Sequence, residues 1–390
     1  MRQIDVFYDC TGSGNTTPPP LCESPSSQSR PCCSLKAVPS SSIRIQEAVP
    51  LAPYTTFRIG GPARFFCEIT TESALIEAIE FARQHGLPTF VLGGGSNLLV
   101  SDSGFNGLVL HIAIDAPMQP TPNGSFLDYT VTAGTDWNSF VLQVCEQGIS
   151  GVECLAGIPG SVGGTPVQNV GAYGQEVADT ITSVRAFDLE TNIFLDIPHD
   201  QCGFAYRRSI FNFTQRNRYI VTAVTFRFDS TAKPKLTYAD LARHFAGQSP
   251  TPMDVYHAVR AIRHRKGMLI VEGEDDCRSA GSFFKNPIVS ESVLVQIAAT
   301  RNIPQDAIPH WPAEAGFIKL PAAWLLEQAG FPKGFTMGNA GISSRHNLAL
   351  INRGNATAVD IASLRNTIQH QVKSRFNIEL EQEPVEPGVK

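Results

Sequence analysis

The chain has 390 residues, of which 42% are hydrophobic and 17% charged, a composition typical of a folded globular protein rather than a disordered one. Its net charge of −5 offers no basic excess for nucleic acid or an anionic membrane surface. The chain lacks the run of about 18 apolar residues that a transmembrane helix needs. It also lacks the basic head followed by an apolar block that is typical of a secretory signal. Because single cores stop growing near roughly 250–300 residues, the length predicts two or three domains.

The cysteines and histidines show no metal-binding pattern. The nine cysteines are odd in number and contain no Cys-x-x-Cys pair, which argues against a zinc ribbon. None of the nine histidines has a second histidine at metal-ligand spacing. We therefore predict no metal site, and thiols that stay free in a reducing, cytoplasmic environment.

Residues 1–42 differ in composition from the rest of the chain. The stretches TGSGNTTPPP and ESPSSQSRPCCS are rich in Ser, Pro, Thr and Gly, and such segments bury too little apolar surface to offset the entropy lost on ordering. We predict a disordered extension over 1–42, with a misassigned start codon as the alternative. Further changes of pattern predict three domains, over 43–115, 116–230 and 231–390.

The first regular part alternates helix and strand. In TESALIEAIEFARQHGLP, Leu75, Ile79 and Ala82 recur at helical spacing. Gly86 and Pro88 then end the predicted helix. TFVLGGGSNLLV predicts a strand that runs into a glycine loop, and GLVLHI predicts a short buried strand.

The middle of the chain predicts mostly strands. DYTVTAGTDWNSFVLQVCEQG indicates a strand followed by a helix. The predicted apolar side of that helix comprises Trp137, Phe140, Val141 and Val144. ITSVRAFDLETNIFLDI predicts two strands joined by a Glu-Thr-Asn turn, and RYIVTAVTFRF predicts a further strand.

After Phe228 the predicted elements are mainly helical. PMDVYHAVRAIRHRK predicts a helix with proline at an early position, and a last helix is predicted over 358–376. NIELEQEP predicts a closing strand, which would place Glu379, Glu381 and Glu383 on one face.

Two glycine-rich loops are candidates for cofactor binding. LGGGSNLLVSD contains Gly93, Gly94 and Gly95, whose backbone N–H groups can converge on a pyrophosphate. GIPGSVGG offers almost bare backbone, against which a planar ring can lie. Together the loops indicate a large cofactor with phosphates and a planar ring, and the alternatives are a tight turn and a hairpin cluster. Neither loop is a P-loop or a Gly-x-Gly-x-x-Gly fingerprint.

Several polar residues are candidates for substrate chemistry. Arg207 and Arg208 in FAYRRSIF could clamp a carboxylate or phosphate, or form a surface pair. Tyr238, at a predicted helix start, is a candidate for substrate contact, and the alternative is that it packs in the core or in an interface. The basic helix end IRHRK either complements the helix dipole or attracts an anionic ligand.

Ser282 in AGSFFKNP lies beside two phenylalanines that would shield it from water. A serine hydroxyl is a poor acid, so it can protonate only a strongly basic centre, such as a carbanion, within hydrogen-bond reach. A structural turn is the alternative. For the three glutamates of ELEQEP, a solvated strand edge is the alternative.

Eight motifs occur in order over 43–383, namely TFRIGGPA, LGGGSNLLVSD, LAGIPGSVGG, QNVGAYGQE, YRRSIF, AGSFFKNP, AAWLLEQAGF and NLALINRGNAT. Together they resemble the MurB family, the UDP-N-acetylenolpyruvoylglucosamine reductases of peptidoglycan precursor synthesis. The resemblance implies an α+β fold, with a two-part FAD-binding unit of the vanillyl-alcohol-oxidase (PCMH) type and a C-terminal α/β substrate-binding domain. It also implies bound FAD, NADPH as reductant, and reduction of the enolpyruvyl ether of UDP-N-acetylglucosamine to UDP-N-acetylmuramate.

The resemblance also implies roles for residues that match the motifs. Ser282 is similar to the family's proton donor, Arg207 to the partner of the enolate or carboxylate, and Glu383 to the third catalytic residue. Implied substrate contacts are Tyr238, Tyr173, Asn286, Lys319 and Gln328. Implied FAD contacts are Arg58, Gly93, Gly94, Gly95, Ser96, Asn97, Gly157, Ile158, Pro159, Gly160, Gly163 and Gly164. The chain departs from the family at Gln382, where proline is usual, and in the longer KGMLIVEGEDDCRS segment.

Two other functions fit parts of the pattern. A flavin-dependent oxidase of a sugar or alcohol could use the same glycine loops, but it has no evident need for both AGSFFKNP and LEQE. A non-catalytic sugar-nucleotide-binding protein would not need Arg207, Ser282 and Glu383. We predict a monomeric reductase that binds UDP-N-acetylenolpyruvoylglucosamine and NADPH, without nucleic-acid or membrane partners.

Overall fold

The computed structural model describes residues 43–388, so the predicted extension over 1–42 lies outside the described residues. Two large hydrophobic cores and one small core organise this part of the chain. Among the helices of 43–388, none is both long enough and apolar enough to cross a membrane.

A four-stranded sheet with one crossover helix comes first. Its elements are β1 (Ile45–Pro50), β2 (Pro62–Ile69), α1 (Glu72–Gln84), β3 (Thr89–Leu92) and β4 (Phe105–Ile112). The strand order is β1-β2-β4-β3, with β1 antiparallel to β2 and the other pairs parallel. Helix α1 begins where the Thr71 side chain accepts a hydrogen bond from the Ala74 N–H, and it buries Leu75, Ile79 and Ala82 as predicted.

A five-stranded antiparallel sheet follows. This part of the chain contains β5 (Thr121–Asn123), β6 (Phe126–Thr132), α2 (Trp137–Glu146), β7 (Gly171–Ala172), β8 (Gln175–Glu176), β9 (Ile181–Asp188), β10 (Ile193–Pro198) and β11 (Tyr219–Asp229). The sheet order is β10-β9-β11-β6-β5, while β7 and β8 pair separately. Strands β9 and β10 form the predicted hairpin, and the predicted apolar side of α2 is buried.

The remaining residues form helices around two small sheets. The elements are α3 (Ala239–His244), α4 (Pro252–Arg265), β12 (Ile288–Ser290), α5 (Glu291–Arg301), β13 (Trp311–Pro312), β14 (Phe317–Lys319), α6 (Ala322–Ala329), β15 (Thr336–Met337), β16 (Ala340–Ile342), β17 (Leu350–Asn352) and α7 (Ala358–Phe376). The sheets have the orders β12-β14-β13 and β15-β16-β17. Helix α7 has the predicted bounds and buries residues at helical spacing, from Ile361 to Phe376.

The large cores do not follow the order of the chain strictly. Helix α4 lies beyond residue 230, yet its Val255 and Val259 share the first core with Trp137 of α2. The second large core consists mostly of later residues but includes Phe57 and Leu99 from the first part of the chain. The predicted domain boundaries stay predictions.

The prediction of a strand over NIELEQEP was wrong. Over residues 377–388, the last ones that the structure describes, only isolated bridges form, between Gln382 and Phe284 and between Val385 and Leu98. The side chains of Glu379 and Glu381 are 82% and 71% exposed, whereas that of Glu383 is 14% exposed. The three glutamates therefore do not share one face.

The reason is that each bridge is made with a segment distant in the sequence. The alternation of glutamates along the sequence does not reveal that the segment paired with this stretch changes after one or two residues. The surroundings of each glutamate therefore depend on the neighbouring segments rather than on the period of a strand.

Candidate active site

The two glycine-rich loops, 93–97 and 157–164, lie against each other. A Cβ atom on Gly94 would lie 2.5 Å from the Cα of Gly160, and one on Gly93 would lie 2.8 Å from Ser161 Oγ. At Gly94, any side chain would collide with backbone, so the close approach requires glycine. The loops predicted to bind one cofactor are thus brought together.

Ser161 Oγ, at the junction of these loops, is buried and has no hydrogen-bond partner among the described residues. Leaving a buried hydroxyl unpaired is costly, and such groups call for an explanation. The surrounding backbone is well anchored, because the N–H of Val162 donates to Thr135 O and the N–H of Gly163 donates to Ala133 O, each at 2.9 Å. An anchored, side-chain-poor junction with an unused hydroxyl fits the phosphates and planar ring of FAD.

Arg58, another predicted FAD contact, lies in a turn next to the first glycine loop. The N–H of Thr56 donates to Gly95 O at 3.1 Å. Arg58 is exposed, has a φ of 56°, and donates from Nη1 to Pro53 O at 2.8 Å. Its contact with FAD stays a prediction.

The end of the chain joins the first glycine loop to the segment that carries Ser282. The N–H of Val385 donates to Asn97 O at 2.9 Å, and the side chain of Asn97 donates to Glu383 O at 3.2 Å. The N–H of Glu383 donates to Phe283 O at 2.8 Å. The structure therefore brings a predicted FAD loop, Glu383 and the Ser282 segment together.

Arg207 and Glu383, both predicted catalytic residues, form an ion pair. Arg207 Nε lies 3.1 Å from Glu383 Oε1, and their side chains are 22% and 14% exposed. Burial raises the pKa of Glu383 above its usual range, although the positive charges of Arg207 and Lys285 act in the opposite direction. A carboxyl group with a raised pKa beside a fixed cation can hold or release a proton near a developing negative charge.

The backbone of Arg207 is held in an uncommon conformation. Its φ is 55°, in the left-handed region. The Asn212 side chain donates to Arg207 O at 3.1 Å and accepts from the Ser209 N–H at 2.9 Å. Arg207 Nη2 also donates to Gly171 O at 2.9 Å, so the guanidinium is fixed at both ends.

Arg208 has different surroundings. Its guanidinium carbon lies 3.4 Å from the centroid of the Phe213 ring, and that ring is exposed. The two adjacent arginines therefore point to different environments, and Arg207 is the one that meets Glu383.

Ser282 lies beside a histidine that the sequence analysis did not single out. Ser282 Oγ is 3.1 Å from His346 Nε2. Phe283 and Phe284 are fully buried next to it, and the N–H of Phe283 donates to Leu348 O at 2.8 Å. His346 stands in the polar stretch SSRHN before a buried strand, and its sequence context carries no signal of a partner 64 residues away.

Tyr173 and Tyr238, predicted substrate contacts, form a pair beside a lysine. Their ring centroids are 5.2 Å apart at an angle of 87°. Lys266 Nζ lies 5.6 Å and 5.8 Å from the two centroids and 3.3 Å from a carboxylate oxygen of Asp240. Lys266 follows the last residue of α4 and is paired with Asp240, so attraction of an anionic ligand by the IRHRK helix end stays a prediction.

The other predicted substrate contacts belong to segments whose neighbouring residues form the second large core. Lys319 Nζ is 4.0 Å from the centroid of the Tyr206 ring, so Tyr206 is a further neighbour of the site. Asn286 Oδ1 accepts a hydrogen bond at 2.9 Å from the first N–H of α6. The side chain of Gln328 accepts a hydrogen bond from Arg301. Their contacts with a substrate stay predictions.

Two family models match the chain. Residues 63–193 match the FAD binding domain, and residues 273–386 match the C-terminal domain of UDP-N-acetylenolpyruvoylglucosamine reductase. The chain is 42% identical to the UDP-N-acetylenolpyruvoylglucosamine reductase of Thermobifida fusca, over 87% of this chain and 97% of the relative. The enzyme of the same name from Streptomyces avermitilis is 42% identical, over 89% of this chain and 96% of the relative.

A solved structure is similar along nearly its whole length. The crystal structure of UDP-N-acetylenolpyruvylglucosamine reductase (MurB) from Thermus caldophilus matches with a TM-score of 0.60 and 28% identity. The match covers 88% of this chain and 99% of that one. The chain therefore belongs to the MurB family of UDP-N-acetylenolpyruvoylglucosamine reductases. It is an FAD-dependent oxidoreductase, and the predicted α+β fold and FAD cofactor are confirmed.

Proposed function

We propose that this reductase converts UDP-N-acetylenolpyruvoylglucosamine to UDP-N-acetylmuramate with NADPH as reductant, as a step of peptidoglycan precursor synthesis. The observation that carries the proposal is that the Arg207–Glu383 ion pair is bonded through the Glu383 backbone to the Ser282 segment and to the first glycine loop. An oxidase has no evident use for a shielded hydroxyl next to an arginine–glutamate pair. The names of the family members also favour a reductase over an oxidase.

Each of these residues has a distinct part in the proposed reaction. FAD, when bound, supplies the hydride that adds to the methylene carbon of the enolpyruvyl group. The guanidinium of Arg207 stabilises the negative charge that then builds on the substrate carboxylate and the neighbouring carbon. The hydroxyl of Ser282 gives its proton to that carbon, and the buried Phe283 and Phe284 exclude water from the serine segment.

Lys266, which follows α4, and the two tyrosines beside it contribute to ligand binding in this proposal. Lys266 offers a positive charge beside the edge-to-face pair of Tyr173 and Tyr238. A sugar nucleotide and NADPH both carry a diphosphate. Because the sequence contains no Gly-x-Gly-x-x-Gly fingerprint for a second dinucleotide, we infer that the two ligands use the same cleft in turn.

The proposal is tested by following the visible spectrum of the purified protein under anaerobic conditions. NADPH is expected to bleach a flavin band, and UDP-N-acetylenolpyruvoylglucosamine is expected to restore it. Restoration only by oxygen would identify an oxidase and contradict the proposal. The absence of a flavin band after addition of FAD would contradict any flavin chemistry.

Ser282→Ala tests the proton-donor role in the same experiment. We expect flavin reduction by NADPH to stay within about twofold of the unsubstituted protein, while reoxidation by the sugar nucleotide slows by roughly 10²–10⁴-fold, because a positioned general acid contributes about that much. Rapid-mixing absorbance separates the two half-reactions. The exposed Ser292→Ala serves as the control, and equal slowing of both half-reactions would contradict the role.

A further inference from the structure

The contact of Ser282 with His346 is not used by the function proposed above, and an inference from it rests on that function. Ser282 Oγ and His346 Nε2 are 3.1 Å apart. A serine is a poor proton donor unless the charge left on its oxygen is stabilised. The nitrogen beside that oxygen therefore influences how readily the proton leaves.

The turn that carries His346 is rigidly mounted. Ser343 Oγ accepts hydrogen bonds from the N–H groups of Arg345 and His346, both at 3.1 Å. The side chain of Asn347 donates to Ala323 O at 2.9 Å. Hydrogen bonds therefore hold the residues on both sides of the histidine, which limits the positions that its ring can adopt.

Arg345 adds a second anchor to the same turn. Its Nε lies 2.9 Å from a carboxylate oxygen of Asp276, and its guanidinium also pairs with Glu274. Both acids belong to the KGMLIVEGEDDCRS segment, which precedes the serine motif. This segment therefore helps to hold the histidine turn against the Ser282 segment.

The surroundings of His346 favour a neutral imidazole at neutral pH. Burial lowers the pKa of His346 to about 4, and the positive charges of Lys266, Lys333 and Arg263 act in the same direction. A neutral imidazole carries one proton, on either Nε2 or Nδ1. Two hydrogen-bond arrangements with Ser282 are then possible.

The two arrangements have opposite effects on Ser282. If Nε2 lacks the proton, it accepts the serine hydroxyl and turns that proton away from a substrate. If Nε2 carries the proton, it donates to Oγ, and the serine proton is free to point at the substrate carbon. Only the second arrangement is compatible with Ser282 as a proton donor.

We propose that His346 is a positioning residue that donates its Nε2–H to Ser282 Oγ. The hydrogen bond orients the hydroxyl before reaction and stabilises the electron pair left on Oγ when the O–H bond breaks and the new C–H bond forms. The imidazole stays neutral throughout. A proton from the solvent, the one that the overall reduction consumes, then restores the hydroxyl, and the protein returns to its starting state.

The first test compares His346→Ala and His346→Gln in the two anaerobic half-reactions. His346→Ala is expected to slow reoxidation by the sugar nucleotide about 10–100-fold, as expected for loss of one hydrogen bond to a developing charge. Reduction by NADPH should stay within about twofold. His346→Gln retains an amide donor at similar reach, and it is expected to recover most of the lost rate. The exposed His370→Ala is the control.

A double variant separates positioning from a general structural role. If His346 acts through Ser282, His346→Ala is expected to have little further effect on reoxidation once Ser282 is alanine, because the two residues work as one unit. Independent, multiplicative losses would overturn the proposal. If the unsubstituted protein and His346→Ala are reoxidised by the sugar nucleotide at the same rate, the proposal about His346 fails while the proposed function stands. If the unsubstituted protein is not reoxidised by the sugar nucleotide, both fail.

A second test, which does not depend on catalysis, asks which ring nitrogen of His346 carries the proton. Protein labelled with ¹⁵N-histidine is examined by NMR at neutral pH, and the His346 signals are identified by their loss in His346→Gln. The neutral tautomer with the proton on Nε2 is expected. A tautomer protonated on Nδ1, or a doubly protonated ring, would overturn the proposal even where the alanine variant fails to fold.

Discussion

Left-handed backbone marks predicted site residues. Ten non-glycine residues between 43 and 388 have a positive φ, and six of them are asparagines, which tolerate this region best. The other four are Ala48, Arg58, Tyr173 and Arg207. Three of these four are predicted to contact FAD or substrate. Such conformations persist where the surroundings hold them, and they cluster at functional sites.

At the residue scale, the arginine pair offers a matched test. Arg207→Lys is expected to lower kcat/KM by roughly 10²–10³-fold, because the single nitrogen of lysine cannot reproduce the planar fork that meets Glu383 through Nε and the Gly171 carbonyl through Nη2. Arg208→Lys is expected to leave kcat/KM within about threefold, since its guanidinium faces the exposed Phe213 ring. Steady-state kinetics with both ligands would measure each. A reversed order would assign the role to Arg208.

At the element scale, helix α7 is tied to the first glycine-loop region. The carboxylate of Asp102 accepts hydrogen bonds from the Ala358 N–H at 2.7 Å and the Val359 N–H at 3.1 Å. Thr357 Oγ1 accepts from the Asp360 N–H at 3.1 Å. The first three N–H groups of the helix therefore all have side-chain acceptors, and one acceptor comes from a segment about 250 residues earlier.

We expect Asp102→Ala to destabilise the protein by about 1 kcal/mol, as is usual for loss of a helix cap. Because the entropy of unfolding grows with chain length, this would lower the Tm by only about 1–2 °C in a chain of 390 residues. Thermal unfolding monitored by circular dichroism would measure the shift, with the exposed Asp306→Ala as control. A Tm equal to that of the control would show that the cap does not help to hold α7.

At the scale of the whole molecule, the candidate site is an assembly of distant segments. The loops over 93–97 and 157–164, the Arg207 turn, the Ser282 segment and the end of the chain all contribute. The C-terminal residues are central, because Val385 bonds to Asn97 and Glu383 bonds to Phe283.

Truncations at the two ends of the chain are therefore expected to differ. Removing residues 1–42 should leave kcat, KM and Tm unchanged, because every predicted site residue lies beyond residue 42. Removing residues 383–390 should abolish turnover, because it takes away Glu383 and the contact of Val385 with Asn97. Turnover and thermal unfolding of both proteins would be measured side by side. A large loss on removal of 1–42 would show that the extension takes part in the fold or the site.

Local sequence patterns are enough to predict several elements and the family of this protein. Periodic apolar residues predicted α1, α2 and α7, and the glycine loops indicated a cofactor, because helix formation and backbone freedom depend on neighbouring residues. Ordered motifs along the chain indicated the MurB family and its flavin chemistry. The roles of Ser282, Arg207 and Glu383 followed from that resemblance and stay predictions.

Which distant groups meet is visible in the folded protein and not in any single segment. The structure showed no regular strand at NIELEQEP, separated Glu383 from Glu379 and Glu381 by burial, and distinguished Arg207 from Arg208. It also placed His346 beside Ser282. These outcomes depend on contacts between segments far apart in the chain, and such contacts leave no periodic signal in either segment alone.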